Sequence, residues 1–362
     1  MERGLYGTIL VEPTDPSYWP AVDRQLTLTL DDLLVEDGHI APFHFAVRGA
    51  RAKLVGGDIG RYERETFVEE VLLVPSEGAV LDVLFDTPRD VRLEHRTPKH
   101  LYDLGGFSVT GTATGNAAQS FDVLRTDPDL TAVHQSISHD LERPPDKMLA
   151  FFSRMPLLDG GDDPSADSYV CPMHPEDTAT EPGTCPKCGM KLVQSDAPPM
   201  APSEQHEGMA HSGPDHHEHD QGDGLEWEDL MPEINRASDS SNMIWQLIDR
   251  QTGAVNGAIS WAFTVGDRVK IRLVNEMDAD HPMHHPFHVH GAGRFLVLAR
   301  DGQPEANLVW KDTVLLRSGQ TVDVLLDVSN PGLWMAHCHI AEHNQSGMMF
   351  SFDVARAPEP AP

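Results

Sequence analysis

The sequence predicts an all-β chain of two sandwich domains joined by a long polar span, and three observations carry that prediction. Residues 21 to about 125 run in short stretches that alternate apolar and polar side chains, as in QLTLTL, where Leu26, Leu28 and Leu30 share one face, and in VLDVLFDTP. That period of two, broken by Gly and Pro, marks half-buried strands. The same period returns late in the chain, with Val269, Ile271 and Leu273 in DRVKIRLVN and Val322, Val324, Leu326 and Val328 in TVDVLLDV. No helical period is long enough to compete; the one helical reading is a short stretch in RTDPDLTAVHQSISHDLERPPDKMLAFF, followed by a strand.

A chain of 362 residues exceeds one ordinary core. Residues 21–156 read as the first sandwich and 225–356 as the second, with a Pro/Ala tail at 357–362. Between the sandwiches, residues 157–224 shift to Asp, Ser, Pro, Gly and His, the composition of a mostly disordered linker, interrupted at 168–194 by a pattern of its own. The formal net charge of −30 argues against nucleic acid, which such a surface repels, and makes cations the natural partners. The chain opens without an apolar h-region and cleavage site, and no apolar run is long enough to cross a bilayer, so membrane insertion is not expected and the compartment stays open.

The four cysteines sit in spacings that suit a metal better than a disulfide. In WMAHCHIAEHNQSGMMF, strand alternation sends His337 and His339 one way and Cys338 the other, so one strand end serves two sites. Cys338, His343 and Met348 follow in the ligand order of a blue-copper centre, a thiolate, an imidazole and a weak thioether. The missing imidazole comes from HPMHHPFHVHG: the frame HPxHxH fits from His285 through His288 to His290, whereas starting at His281 would put Pro286 where a histidine is required. His285 is therefore the expected fourth ligand, with His288 and His290 turned to meet His337 and His339. His281 and His284 fit no ligand position.

HPFHVHG followed by HCHIAEHNQSGMM resembles the C-terminal cupredoxin domain of a multicopper oxidase, and residues 21–125 more loosely resemble that family's ligand-free middle domain. The resemblance implies two cupredoxin-like Greek-key sandwiches. It implies an oxidoreductase that takes electrons singly from a reductant and reduces dioxygen to water. It places a type 1 copper on His285, Cys338, His343 and Met348, a type 2 copper on His288, and a type 3 pair on His290, His337 and His339. Cys338, His337 and His339 would carry the electron between the centres. The family's cluster takes eight histidines, four of them from two HxH motifs in an N-terminal domain. Before residue 217 this chain has none: HIAPFH and HRTPKH have other spacings, and the HEH at 217–219 lies in the polar span. GLYGTILVEP, within residues 1–20, resembles the last strand of that N-terminal domain, so a truncated or split form is expected, with another chain or domain supplying the other histidines. Asn344 stands where several bacterial members carry a carboxylate that helps deliver protons; Asn cannot titrate, which would reroute protons through Glu342 or Asp280.

YVCPMHPEDTATEPGTCPKCGMKLV places Cys171, His174, Cys185 and Cys188 as two tight knuckles suited to one tetrahedral ion. It resembles the heavy-metal-binding module attached to copper-transporting ATPases, and zinc or copper(I) fits it. His206, Met209, His211, His216, His217 and His219 then read either as plain linker or as a weak copper collector. Two functions follow. One is a laccase-like or metal-oxidising copper oxidase, working on a phenol or a low-valent metal ion. The other is a non-catalytic copper sequestration or resistance protein. Relatives of this family are usually exported.

Overall fold

The computed structural model describes residues 13–15, 17–30, 43–96, 101–111, 117–154, 169–170, 178–181, 183, 192–194, 243–277, 279 and 283–358. By compactness Met1–Ile40 separates from Ala41–Pro362, so the division falls twenty residues beyond the boundary expected after residue 20. Residues 25–30 are not a strand: Leu26 and Leu28 are 72% and 52% exposed. Alternation alone does not make a strand; the backbone also needs pairing along a sheet edge, and these residues belong to none of the sheets among the described residues.

Within Ala41–Pro362 the first set of strands is β1 (Phe43–Arg48), β2 (Arg51–Gly57), β3 (Gly60–Val68), β4 (Val71–Leu73), β5 (Val80–Leu84), β6 (Arg89–Arg96) and β7 (Leu101–Val109), in sheets ordered β4-β1-β6-β7 and β3-β2-β5. Helices α1 (Ala117–Phe121), α2 (Pro128–Ser136) and α3 (Ser138–Glu142) follow. Helix α2 starts where its sequence dictates: Asp127 accepts the backbone N–H of Asp129 and Leu130, and Pro128 takes the first helical position, where no N–H is needed.

Next come β8 (Lys147–Arg154), the short strands β9 (Tyr169–Val170), β10 (Thr178–Ala179) and β11 (Val193–Gln194), which form a sheet of their own, and then β12 (Ile244–Asp249), β13 (Ala262–Thr264), β14 (Arg268–Asn275), β15 (His285–Val289), β16 (Gly293–Arg300), β17 (Gln303–Pro304), β18 (Thr313–Leu316), β19 (Thr321–Val328), β20 (Gly332–Cys338), α4 (Ala341–Gln345) and β21 (Met349–Ala355). Their two sheets, β12-β8-β14-β19-β16-β17 and β13-β21-β20-β15-β18, bury one shared core. Leu149, Phe151, Leu273 and Val324 come from the first sheet and Phe287, Val314, Ala336 and Phe350 from the second, all almost wholly buried. Each of the larger of these side chains, Ala336 excepted, contributes about 1.5–3 kcal/mol relative to exposure. The other face of the six-stranded sheet is covered by the helices, with Leu130 and Ile137 against Leu296, Leu298 and Leu325. Among the described residues no helix is long and apolar enough to cross a membrane.

The sheet pairing shifts the expected domain boundary. Strand β8 lies before residue 156, yet it pairs with β12 and runs parallel to β14. It is a strand of the second sandwich, and the span read as an interdomain linker at 157–224 enters and leaves between two paired strands of that sandwich. Composition alone could not show this, because a polar span looks the same between domains as between strands.

The seven strands β1–β7 repeat β15–β21 one for one. In both, the first, fourth, sixth and seventh strands form one antiparallel sheet and the second, third and fifth another. Phe45 stands opposite Val71 and His95 as Phe287 stands opposite Val314 and Cys338. The two repeats meet through backbone bonds from Ile59 to Trp310 and from Glu63 to Leu308, and through Lys311, whose ammonium sits 3.1 Å from Asp58 and 3.0 Å from Glu77.

Candidate metal centre

Strand β20 ends in the core, which forces Cys338 inward, 0% exposed, between the two sheets. Two imidazoles reach it. His285 opens β15, the neighbouring strand, and His343 comes back over the thiol on α4. The thiol sulfur lies 3.6 Å from His285 Nδ1 and 3.5 Å from His343 Nδ1, and the two nitrogens lie 3.3 Å apart. A triangle of those sides has its centre about 2.0 Å from each corner, the bond length of a transition metal to imidazole nitrogen. Among the described residues this is the one Cys/His/carboxylate group so arranged. Met348 is fully buried beside it: the Cys338 N–H donates to Met348 O, and the Met348 N–H to His343 O. Gly347 makes this return possible, since its φ of +101° disfavours any side chain. The donor set of thiolate, two imidazoles and a buried thioether fits copper. Burial pushes the Cys338 thiol up to about 12, so an ion must displace its proton.

His337 and the residue after Cys338, His339, point away from that triangle toward His288 and His290. His337 faces His288 across the paired strands. The His290 and His337 Nε2 atoms are 2.8 Å apart, and ring centroids of His288 lie 4.6 Å from His290, 5.6 Å from His337 and 5.6 Å from His339. Hydrogen bonds behind the rings fix which nitrogen faces the group. His288 Nδ1–H donates to Thr313 Oγ1 at 2.9 Å, and that hydroxyl donates to Asp312. His337 Nδ1 lies 2.8 Å from Cys338 O, which would accept its N–H, and 2.8 Å from the Asn344 amide nitrogen, which would donate to it in the other tautomer. The outer partners of His288 leave its Nε2 free for a metal. Burial, helped by the neighbouring rings, pushes His337 and His339 down to about 4 and lowers His290, so these rings are neutral and ready to ligate at neutral pH. Burial alone would raise the Asp312 carboxyl; the bonds and charges of His288, Thr313 and Lys311 outweigh it.

The structure brings His285, Cys338 and His343 together with Met348 alongside, and groups His288, His290, His337 and His339 apart from them. His284 is buried and accepts the Ser318 N–H, consistent with a non-ligand. Cys171, His174, Cys185, Cys188, His281, Asp280 and the His/Met-rich stretch lie outside the described residues. Glu342 is exposed on α4, whereas Asp312, which sequence reasoning missed, stands 3.5 Å from His288. The first repeat shows what lacking the ligands means. By register Phe43 and His95 occupy the places of His285 and Cys338, and Ala46, Arg48, Glu94 and Arg96 those of His288, His290, His337 and His339. There, Arg48 and Arg96 pair with Glu94 and Glu70 in place of a metal.

Such a donor set, held between two packed sheets, is one that copper favours. Residues 231–358 match the family model described as multicopper oxidase, and residues 168–194 match that of the heavy metal binding domain. A multicopper oxidase of Staphylococcus epidermidis is 42% identical over 84 residues, 23% of this chain and 19% of that protein. The multicopper oxidase MmcO of Mycobacterium tuberculosis is 39% identical over 71 residues, 20% and 13% of the two. A solved multicopper oxidase of Campylobacter jejuni aligns with 87% of this chain and 51% of its own at 14% identity and a TM-score of 0.49. The matches cover about a fifth or less of the curated relatives' length. Residues 231–358 are thus similar to the multicopper oxidase family, and residues 168–194, within the same chain, to heavy metal binding domains.

Proposed function

We propose that the chain is the copper-bearing half of a laccase-like or metal-oxidising multicopper oxidase. His285, Cys338, His343 and Met348 hold the type 1 copper, His288 a type 2 copper, and His290, His337 and His339 a type 3 pair. Copper on these two sets supplies one-electron oxidation of a phenol or low-valent metal ion at the first and reduction of dioxygen to water at the second. The observation that supports this reading best is Cys338 itself: its side chain closes one donor set while its two neighbours open the other, so the sets are joined through a single residue. The first set is sealed, with each ligand at most 2% exposed, which keeps water off the thiolate. The second is only partly covered at His288, His290 and His339, as a half-site awaiting further imidazoles would be. Asp312, through the Thr313 hydroxyl, orients His288 at its edge. The remaining four imidazoles come from another chain or domain, and Cys171, His174, Cys185 and Cys188 hold copper(I) or zinc.

Oxygen uptake with a one-electron donor tests the reading. The copper-loaded chain alone should bleach on reduction without sustained uptake. Adding a domain that bears two HxH motifs should start it. A chain that takes up no oxygen under any such complementation but still binds copper would favour sequestration.

A further inference from the structure

Trp245 belongs to neither ligand strand, yet its indole lies face to face with the His343 imidazole, centroids 3.6 Å apart and planes 24° from parallel. Its edge also meets His285, at 5.8 Å and 76°. Trp245 is 1% exposed and reaches the triangle from β12, at the edge of the opposite sheet. Its backbone is pinned: Asn256 donates its amide N–H to Trp245 O and accepts the Leu247 N–H. The ring it covers is the less firmly based of the two imidazoles. His285 stands in a paired strand, but His343 rides on a five-residue helix with no side-chain cap, too short to be rigid alone.

Resting on the reading of His285, Cys338 and His343 as the mononuclear copper ligands, we propose that Trp245 is the positioning residue for His343. The stacked indole holds the imidazole plane so that Nδ1 stays in the triangle, and thereby sets the spectrum and reduction potential of the bound copper. Phe151, 5.2 Å from His285, does the lesser part of the same work on the other ring.

The test uses the full chain loaded with copper(II): the parent, Trp245→Leu, Trp245→Phe and Cys338→Ser, compared by visible absorption, EPR hyperfine splitting, redox titration and competition with a chelator. Trp245→Leu should bind copper about tenfold more weakly or worse and shift both hyperfine splitting and potential, with Trp245→Phe restoring most of each. A merely structural Trp245 would lower the melting temperature and leave spectrum and potential unmoved; that result in a cooperatively melting Trp245→Leu chain overturns the proposal. Should Trp245→Leu not fold, copper(II) quenching of intrinsic fluorescence decides: the quench must shrink in Trp245→Phe, and an equal quench refutes the contact. If Cys338→Ser leaves the parent spectrum intact, the metal reading itself has failed, whatever Trp245 does.

Discussion

At the scale of single residues the metal-free site is held in protonation states that oppose the extremes of pH. His337 and His339 sit near 4 in the fold against an ordinary 6.5, so between those values the unfolded chain takes up protons that the folded chain refuses. Their contribution is complete above pH 6.5 and is lost as pH falls toward 4. Cys338 is displaced the other way, to about 12 from 9, so the unfolded chain gives up a proton first and stability falls as pH rises from 9 toward 12. Denaturant unfolding of the metal-free chain should therefore show a plateau between about pH 6.5 and 9. Cys338→Ser should make the alkaline arm shallower, with Tyr62 and Lys311 still contributing, and leave the acid arm unchanged; an alkaline arm untouched by that change would contradict the assignment. The two groupings were legible in the sequence because the strand period and the spacing of candidate donors point the same way: Cys338 to His343 to Met348, and His285 to His288 to His290. Trp245, Phe151, Thr313 and Asp312 were not. A buried aromatic or hydroxyl in a strand reads as ordinary core until the fold brings it against a ring from a distant strand.

At the scale of elements the chain teaches which patterns suffice. Strands β5, β14 and β19 formed where alternation predicted them, because each has a neighbour to bond. Residues 25–30 carry as clean an alternation, yet Leu26 and Leu28 remain exposed. Gly291 shows the converse, a residue whose meaning is purely local. At φ +37°, with a Cβ that would fall 2.2 Å from the Trp334 ring, it closes the turn after His290 and admits no other side chain comfortably. The element with most consequence is β8. Because Arg154 pairs with Ile244, the long span between them closes on itself at one point of the sheet. Replacing residues 157–241 with a short Gly/Ser turn should leave the second sandwich folded and its copper absorption per chain unchanged, since shorter loops cost less entropy to close. Metal bound per chain should fall by whatever the heavy metal binding domain holds. Loss of the absorption together with the insertion would show that the span builds the site.

At the scale of the whole molecule, one topology is used twice with opposite outcomes. In β15–β21 the inward and outward positions carry thiolate and imidazole; in β1–β7 the same positions carry Phe43, His95 and an Arg/Glu lattice. The all-β class, and the assignment of metal to the second sandwich, followed from sequence patterning. The extent of that sandwich did not, because β8 is separated from its partner strand by the inserted domain. Cys338 anchors a sealed donor triangle, and its neighbours in the strand face an open four-imidazole group. The most direct measurement is a stepwise anaerobic copper(II) titration of the full chain, followed by visible absorption and EPR, against Cys338→Ser. The account predicts an intense thiolate-to-copper absorption that saturates at one copper per chain and vanishes in Cys338→Ser, while weaker binding by imidazoles persists. Copper binding with no such absorption, or an absorption that survives Cys338→Ser, would contradict it.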